Sequence, residues 1–362
     1  MNLPHDKFCV LPWVSLEASP IGTVRPCCLA IDEITDETGS KFKLKEHNLT
    51  TIQSSTYMQN LRQDFLNGLK PQTCRRCWTE ERSGRTSKRM HTLERLRNMG
   101  ISPEWTADAK PLMFLDLKLG NICNLKCRIC GSWSSSQFAT EEIKYNRQEE
   151  TRGSFAYQML KDGAWPRDSE EFWVDLDRHL DNVRYIEFTG GEPFMIEEHF
   201  ELLRSLVSSG LAPDIEIHYN TNGTQFPERG LELWPHFKRV EIALSIDDIG
   251  PRFEYQRTGA SWQEVQQNIE KFKELYGNLE SITSNLKKNI DNVTNLAEKV
   301  DEMTSDYEFE VLQKLGQIAR EIKENESTST MPSNLLKTIQ KYNALHFCIL
   351  FCIKQKVYNV LQ

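Results

Sequence analysis

Short apolar runs alternate with amphipathic stretches through the middle of the chain. Residues 112–118 (LMFLDLK), 183–189 (VRYIEFT), 214–220 (DIEIHYN) and 239–245 (RVEIALS) are rich in β-branched and aromatic side chains, which predicts four strands. Helical spacing separates them. Ile196, Phe200, Leu203 and Val207 form one stripe, with Gly210 placed to end the helix. Ser261 and Glu264 make a capping-box pair before the stripe Val265, Ile269 and Phe272, and Gly277 closes that helix. Within the insertion 131–182, residues 134–146 read as a further helix. Strands that alternate with helices predict an α/β fold with a parallel sheet and right-handed crossovers, a barrel or part of one.

The flanks differ from this centre. Residues 1–110 are polar and read as loop-rich, and residues 278–362 hold only Gly316 and Pro332 as breakers. In the tail, Ile282, Leu286, Ile290, Val293, Ala297 and Val300 recur at helical spacing, as do Val311, Leu315, Ile318 and Ile322. A polar linker (324–333) and a short apolar run (345–353) follow; Cys348 and Cys352 in that run read as buried apolar residues. The expected domains are therefore 1–110, 111–277 and an α-helical tail, 278–362.

Charge narrows the classes. The 362 residues carry a formal charge of -8, and no basic stripe stands out, which argues against a nucleic-acid binder. No run reaches the roughly 20 apolar residues of a membrane span, and the start lacks the order of a secretory signal. A cytoplasmic protein is expected. In that compartment the ten cysteines are expected to be metal ligands or redox groups, not disulfides.

They are bunched. Cys123, Cys127 and Cys130 follow the first predicted strand as CxxxCxxC. Three thiolates converge on one centre, whereas a closed zinc or four-iron site wants four, so the spacing suggests a cluster with one iron open to an outside chelator. The rival is a zinc knuckle completed by a distant ligand. One strand later comes Gly190-Gly191-Glu192-Pro193, where paired glycines allow close backbone approach and Glu192 offers an acceptor for an ammonium group. A second group, Cys9, Cys27, Cys74 and Cys77, supplies four thiolates, enough to close a second site, with Cys28 an alternative to Cys27. A structural four-cysteine zinc site fits that spacing as well.

CxxxCxxC followed by Gly-Gly-Glu-Pro resembles the radical S-adenosylmethionine (SAM) superfamily over residues 111–277. The resemblance implies a partial (β/α)6 barrel in which Cys123, Cys127 and Cys130 hold a 4Fe–4S cluster whose open iron is chelated by SAM. It also implies reductive cleavage of SAM to a 5′-deoxyadenosyl radical, with Gly190, Gly191, Glu192 and Pro193 placing the SAM amino group. Asn222 in the Thr-Asn-Gly turn and Ser245 and Asp247 after the fourth strand would be further SAM contacts, and Arg257 an anion contact. Ile129 departs from the aromatic residue usual before the third cysteine.

The N-terminal cysteines resemble a twitch auxiliary-cluster module, placed before the barrel as in twitch-domain radical SAM proteins, and imply a second 4Fe–4S cluster. The implied partners are a small-molecule or peptide substrate and an electron donor such as flavodoxin or ferredoxin, with neither nucleic acid nor membrane. Asp116 and Glu187 lie on strands, but no catalytic acid or base is assignable.

A fifth and sixth strand do not appear after residue 277, so the barrel is expected to be incomplete. Weak SAM affinity, or a partner chain that supplies the missing wall, would follow. A truncated or fused homologue with impaired activity and a zinc-stabilised scaffold are the competing readings.

Overall fold

The computed structural model describes residues 3–101, 104–145 and 153–275. Expectations for Asn146, Gly277, the helical tail, Cys348, Cys352 and the absent fifth and sixth strands lie outside these residues. The chain divides into two compact units. One comprises Met1–Phe226 with Glu241–Val265, and the other Pro227–Val240 with Gln266–Gln362. The first holds both cysteine groups. Described parts of the second include a short helix, Gly230–Leu233.

Six strands form the main sheet: β1 (Ser15–Ala18), β2 (Val24–Arg25), β3 (Phe114–Leu117), β5 (Tyr185–Phe188), β6 (Glu216–Thr221) and β7 (Arg239–Leu244). Their order is β2-β1-β3-β5-β6-β7. β1, β3, β5 and β6 run parallel, and β2 is antiparallel to β1. The four strands expected from sequence are present within a few residues of their predicted ends. β1 and β2 are additions, and they tie the N-terminal segment directly into the sheet. A two-stranded ribbon, β4 (Lys126–Cys127) with β8 (Arg257–Thr258), stands apart from it.

The register divides the sheet into two chemically different faces, because successive side chains point to opposite sides. Leu16, Leu115, Ile186 and Ile217 form one row; Ala18, Leu117, Phe188 and Tyr219 form the next on the same face. All eight are buried. At about 1.5–3 kcal/mol for each large apolar side chain removed from water, this face anchors the fold. The helix Glu197–Ser208 covers part of it, burying Phe200, Leu202, Leu203 and Leu206. His199 bonds the Tyr219 hydroxyl at 2.7 Å, and Phe188 stacks on Tyr219 at 5.5 Å. Gly210, at φ +76°, ends the helix as its spacing predicts, and Leu211 N–H returns to Leu206 O.

The opposite face is polar. Glu17, Asp116, Glu187 and His218 lie side by side across four strands. The helix Lys88–Asn98 crosses this face: Lys88 Nζ meets Glu187 and Arg95 Nη1 meets Glu216, each at 2.8 Å. Arg95 also stacks over the Tyr185 ring.

The first 110 residues are not loop-rich as expected. Their described part contains five α-helices, the longest being Thr56–Leu66 and Lys88–Asn98. Local caps explain them. Asn48 accepts from Thr51 N–H, Ser55 from Met58 N–H and Ser87 from Met90 N–H, and such bonds start helices whose apolar stripes are weak. Among the described residues, no helix is long and apolar enough to cross a membrane.

Candidate metal and cofactor site

The loop after β3 carries the three closely spaced cysteines. Its shape is fixed from several sides. Asn121 Nδ2 donates to Ser132 O and Met159 O, and Ser135 Oγ donates to Leu125 O at 2.5 Å. The β4–β8 ribbon sets Cys127 opposite Arg257. Cys123 and Cys127 are buried and Cys130 is half-buried; all are free thiols.

Donors converge on the sulfurs. Leu125 N–H reaches Cys123 Sγ at 3.4 Å and Asn222 Nδ2 reaches it at 3.8 Å, while Arg257 Nη1 reaches Cys127 Sγ at 3.7 Å. Burial pushes the Cys123 thiol up, and the Glu192 carboxylate adds to that. Cys130 moves the other way, to about 6. A hydrogen bond from Cys127 is the largest cause; burial opposes it, and Ser134 and Arg257 assist. The same bond holds Cys127 up, with burial next and Arg257 acting against both.

The glycine-rich turn after β5 folds onto this loop. Gly190 and Gly191 adopt φ +71° and +58°, which L side chains rarely take. A Cβ on Gly191 would lie 2.5 Å from Ile122 O, the carbonyl that accepts Glu192 N–H at 2.7 Å. Glu192 is fully buried. Its Oε2 accepts from Asn222 N–H at 2.8 Å; its Oε1 accepts from Thr221 Oγ1 at 2.8 Å and Phe194 N–H at 3.2 Å. Where the sequence offers this carboxylate to a ligand's ammonium, the structure instead engages it with the chain's own donors. It braces the end of β5 against the end of β6. Pro193 begins the short turn that follows and is buried.

Asn222 links the turn to the cysteine loop, since its Nδ2 also donates to Asn124 Oδ1 at 3.0 Å. Asn124 in turn donates to Thr224 Oγ1 at 2.9 Å. Ser245 N–H pairs with Thr221 O at 2.8 Å, which brings the end of β7 alongside. Asp247 lies 2.8 Å from Arg257 Nη2 and raises the Cys130 thiol from nearby. Every expected residue of this site therefore falls in one neighbourhood. Asn124 was missed, although its position directly after Cys123 and the Thr-Asn-Gly-Thr turn were both visible.

The second cysteine group also assembles. Cys9 is raised by burial first and then by the neighbouring thiols of Cys74, Cys27 and Cys77. Cys74 is raised by burial and by Cys27 and Cys77. The backbone at Leu11, Leu29 and Arg89 acts against that rise at Cys9, Cys27 and Cys77 respectively. Burial raises the Cys28 thiol to about 12; Lys88 acts against that, and Asp116 and Cys27 add to it. Among the described residues, no three His, Cys, Asp or Glu side chains stand close enough to hold a single metal ion.

Asp116 and Glu187 sit on that polar face, held by lysines. Lys118 Nζ bonds both Glu17 and Asp116, at 2.8 and 2.9 Å, and Lys88 holds Glu187. Glu17, on the unforeseen β1, is buried, and burial is the largest cause raising its pKa.

The three thiols follow the carboxyl end of one strand of a parallel α/β sheet and the glycine-rich turn follows the end of the next, the edge at which such sheets bind ligands. The family model of the radical SAM superfamily matches residues 117–300, just over half of the 362 residues, and the chain belongs to that superfamily. No curated protein and no solved structure matches the chain. Membership implies an enzyme that uses a 4Fe–4S cluster and SAM. The residues fit such a group. The donor set is three soft thiols, and N–H donors point at Cys123 and Cys127. Arg257 Nε is buried without an acceptor beside Cys127, as expected next to an additional anionic, sulfur-rich partner.

Proposed function

We propose that the chain is a radical SAM enzyme whose SAM-binding cluster is held by Cys123, Cys127 and Cys130. The observation that carries this reading is the bond network joining Cys123 to the glycine-rich turn through Asn222 and Glu192. When bound, the cluster and SAM supply a one-electron reduction and a carbon-centred radical able to abstract hydrogen. The protein's own part is to bind and orient. Glu192 fixes Asn222, Asn222 fixes Asn124 and lies against Cys123, and Gly190–Pro193 present backbone at close range. Ser245, Asp247 and Arg257 line the same neighbourhood as candidate SAM contacts.

The reading extends to an auxiliary 4Fe–4S cluster at Cys9, Cys27, Cys74 and Cys77, as in twitch-domain relatives. Mutual proximity of these four thiols supports it. The substrate is a small molecule or a peptide. A flavodoxin or ferredoxin supplies the electron. The test is anaerobic reconstitution followed by dithionite and SAM. Formation of 5′-deoxyadenosine supports the reading. A colourless protein that retains zinc and forms none of this product would reject it in favour of a metal-stabilised scaffold.

A further inference from the structure

Among the described residues Arg257 is the one cation in contact with a thiol of the three-cysteine loop, and the way it is held is specific. β8 places it directly opposite Cys127 in the two-stranded ribbon. The ribbon is fastened beyond that pair: Arg128 N–H donates to Gln256 O at 2.8 Å, and the Arg128 guanidinium lies 3.6 Å over the Tyr255 ring. After Arg257 the chain turns sharply. Ala260 N–H returns to Arg257 O at 2.9 Å, and Gly259 takes φ +101°.

Within this frame Arg257 is 6% exposed. Nη1 reaches Cys127 Sγ at 3.7 Å and Nη2 pairs with Asp247 at 2.8 Å. The Nε–H is buried with no acceptor. A guanidinium stays charged at any working pH, so burial must be offset by negative charge nearby. Asp247 supplies part of it, but its side chain is 41% exposed, and solvent screens that carboxylate. The less screened partner is the sulfur side of the site.

We propose that Arg257 is a positioning residue that sets the reduction potential of the cluster held by Cys123, Cys127 and Cys130. This rests on the reading that those cysteines hold one. Reduction adds a negative charge to the cluster. A fixed, poorly solvated cation that donates to a ligand sulfur stabilises the reduced form more than the oxidised form, and so raises the potential. Asp247 contributes by orienting the fork. No other charged donor reaches these sulfurs among the described residues; Asn222, the donor at Cys123, is neutral.

The experiment is an EPR-monitored redox titration of the full chain, reconstituted anaerobically, as wild type, Arg257→Gln and Arg257→Lys. Iron content per chain serves as the control for folding. Arg257→Gln is expected to keep its iron while its reduction equilibrium falls about tenfold, a shift of about 59 mV to lower potential for one electron. Arg257→Lys keeps a charge without the fork and is expected to recover part of that shift. An Arg257→Gln protein with full iron and the wild-type midpoint overturns the assignment. Loss of iron in both variants also overturns it, because Arg257 would then only pin the ribbon. A wild-type chain that shows no such cluster signal overturns the family-level site, and this inference falls with it.

Discussion

Glu192→Gln separates two accounts of the buried carboxylate. Burial pushes its pKa up, and three donors act against that. If the group is ionised, it is an acceptor on both oxygens. Asn222 N–H occupies Oε2, and Phe194 N–H with Thr221 Oγ1 occupies Oε1. The threonine hydroxyl can turn to accept, but the two backbone donors cannot. A glutamine must place its NH2 against one of them, whichever way the amide is flipped. The variant then leaves a buried backbone N–H without an acceptor, at a cost of about 1–3 kcal/mol. Volume is nearly conserved, so no cavity term adds to this. The assay is urea denaturation of the full apoprotein, read as a lower midpoint with an unchanged slope. The iron retained after reconstitution should fall as well, because Glu192 positions Asn222 beside Cys123. A Gln variant as stable as wild type would refute the reasoning, since it would mean a protonated carboxyl that the amide imitates.

Other perturbations read other parts of the account. Gly191→Ala forces a Cβ to within 2.5 Å of Ile122 O at φ +58°, and the left-handed conformation alone costs about 1–2 kcal/mol. Its melting temperature should fall by several degrees; an unchanged one would mean the turn relaxes freely. Lys118→Met strands Glu17, buried on β1, with Arg25 Nε 3.7 Å away as its remaining cation. A loss of about 3–5 kcal/mol is expected in chemical denaturation, with much of it recovered when Glu17→Gln is added. Cys27→Ser should remove about four irons per chain and Cys28→Ser none, since one cubane cluster holds about four. Equal iron losses in the two would place Cys28 among the ligands.

The strands β3, β5, β6 and β7 were legible because each is a run of apolar and β-branched residues, longer than the strand it forms. β1 was not. Ser15–Ala18 has no such run, and its two apolar side chains declare themselves only once β3 lies alongside in register. The polar row on the sheet was hidden for the same reason. Glu17, Asp116, Glu187 and His218 are scattered through 202 residues of sequence, and only pairing aligns them. At the site, the cysteine spacing and the glycine pair could be read directly, because each is a local pattern with a chemical requirement. The role of Glu192 could not. A glutamate beside two glycines looks like a free acceptor until the end of β6 arrives with two donors, Thr221 and Asn222, beside the Phe194 N–H of its own turn.

The central claim is that three thiols hold a cluster with one iron left for SAM. EPR of the dithionite-reduced chain tests it most directly, in a form with Cys9, Cys27, Cys74 and Cys77 replaced by serine, with and without SAM. A cubane signal whose g-values move when SAM is added is the predicted result. A signal indifferent to SAM, or none from a protein that still folds, would contradict it.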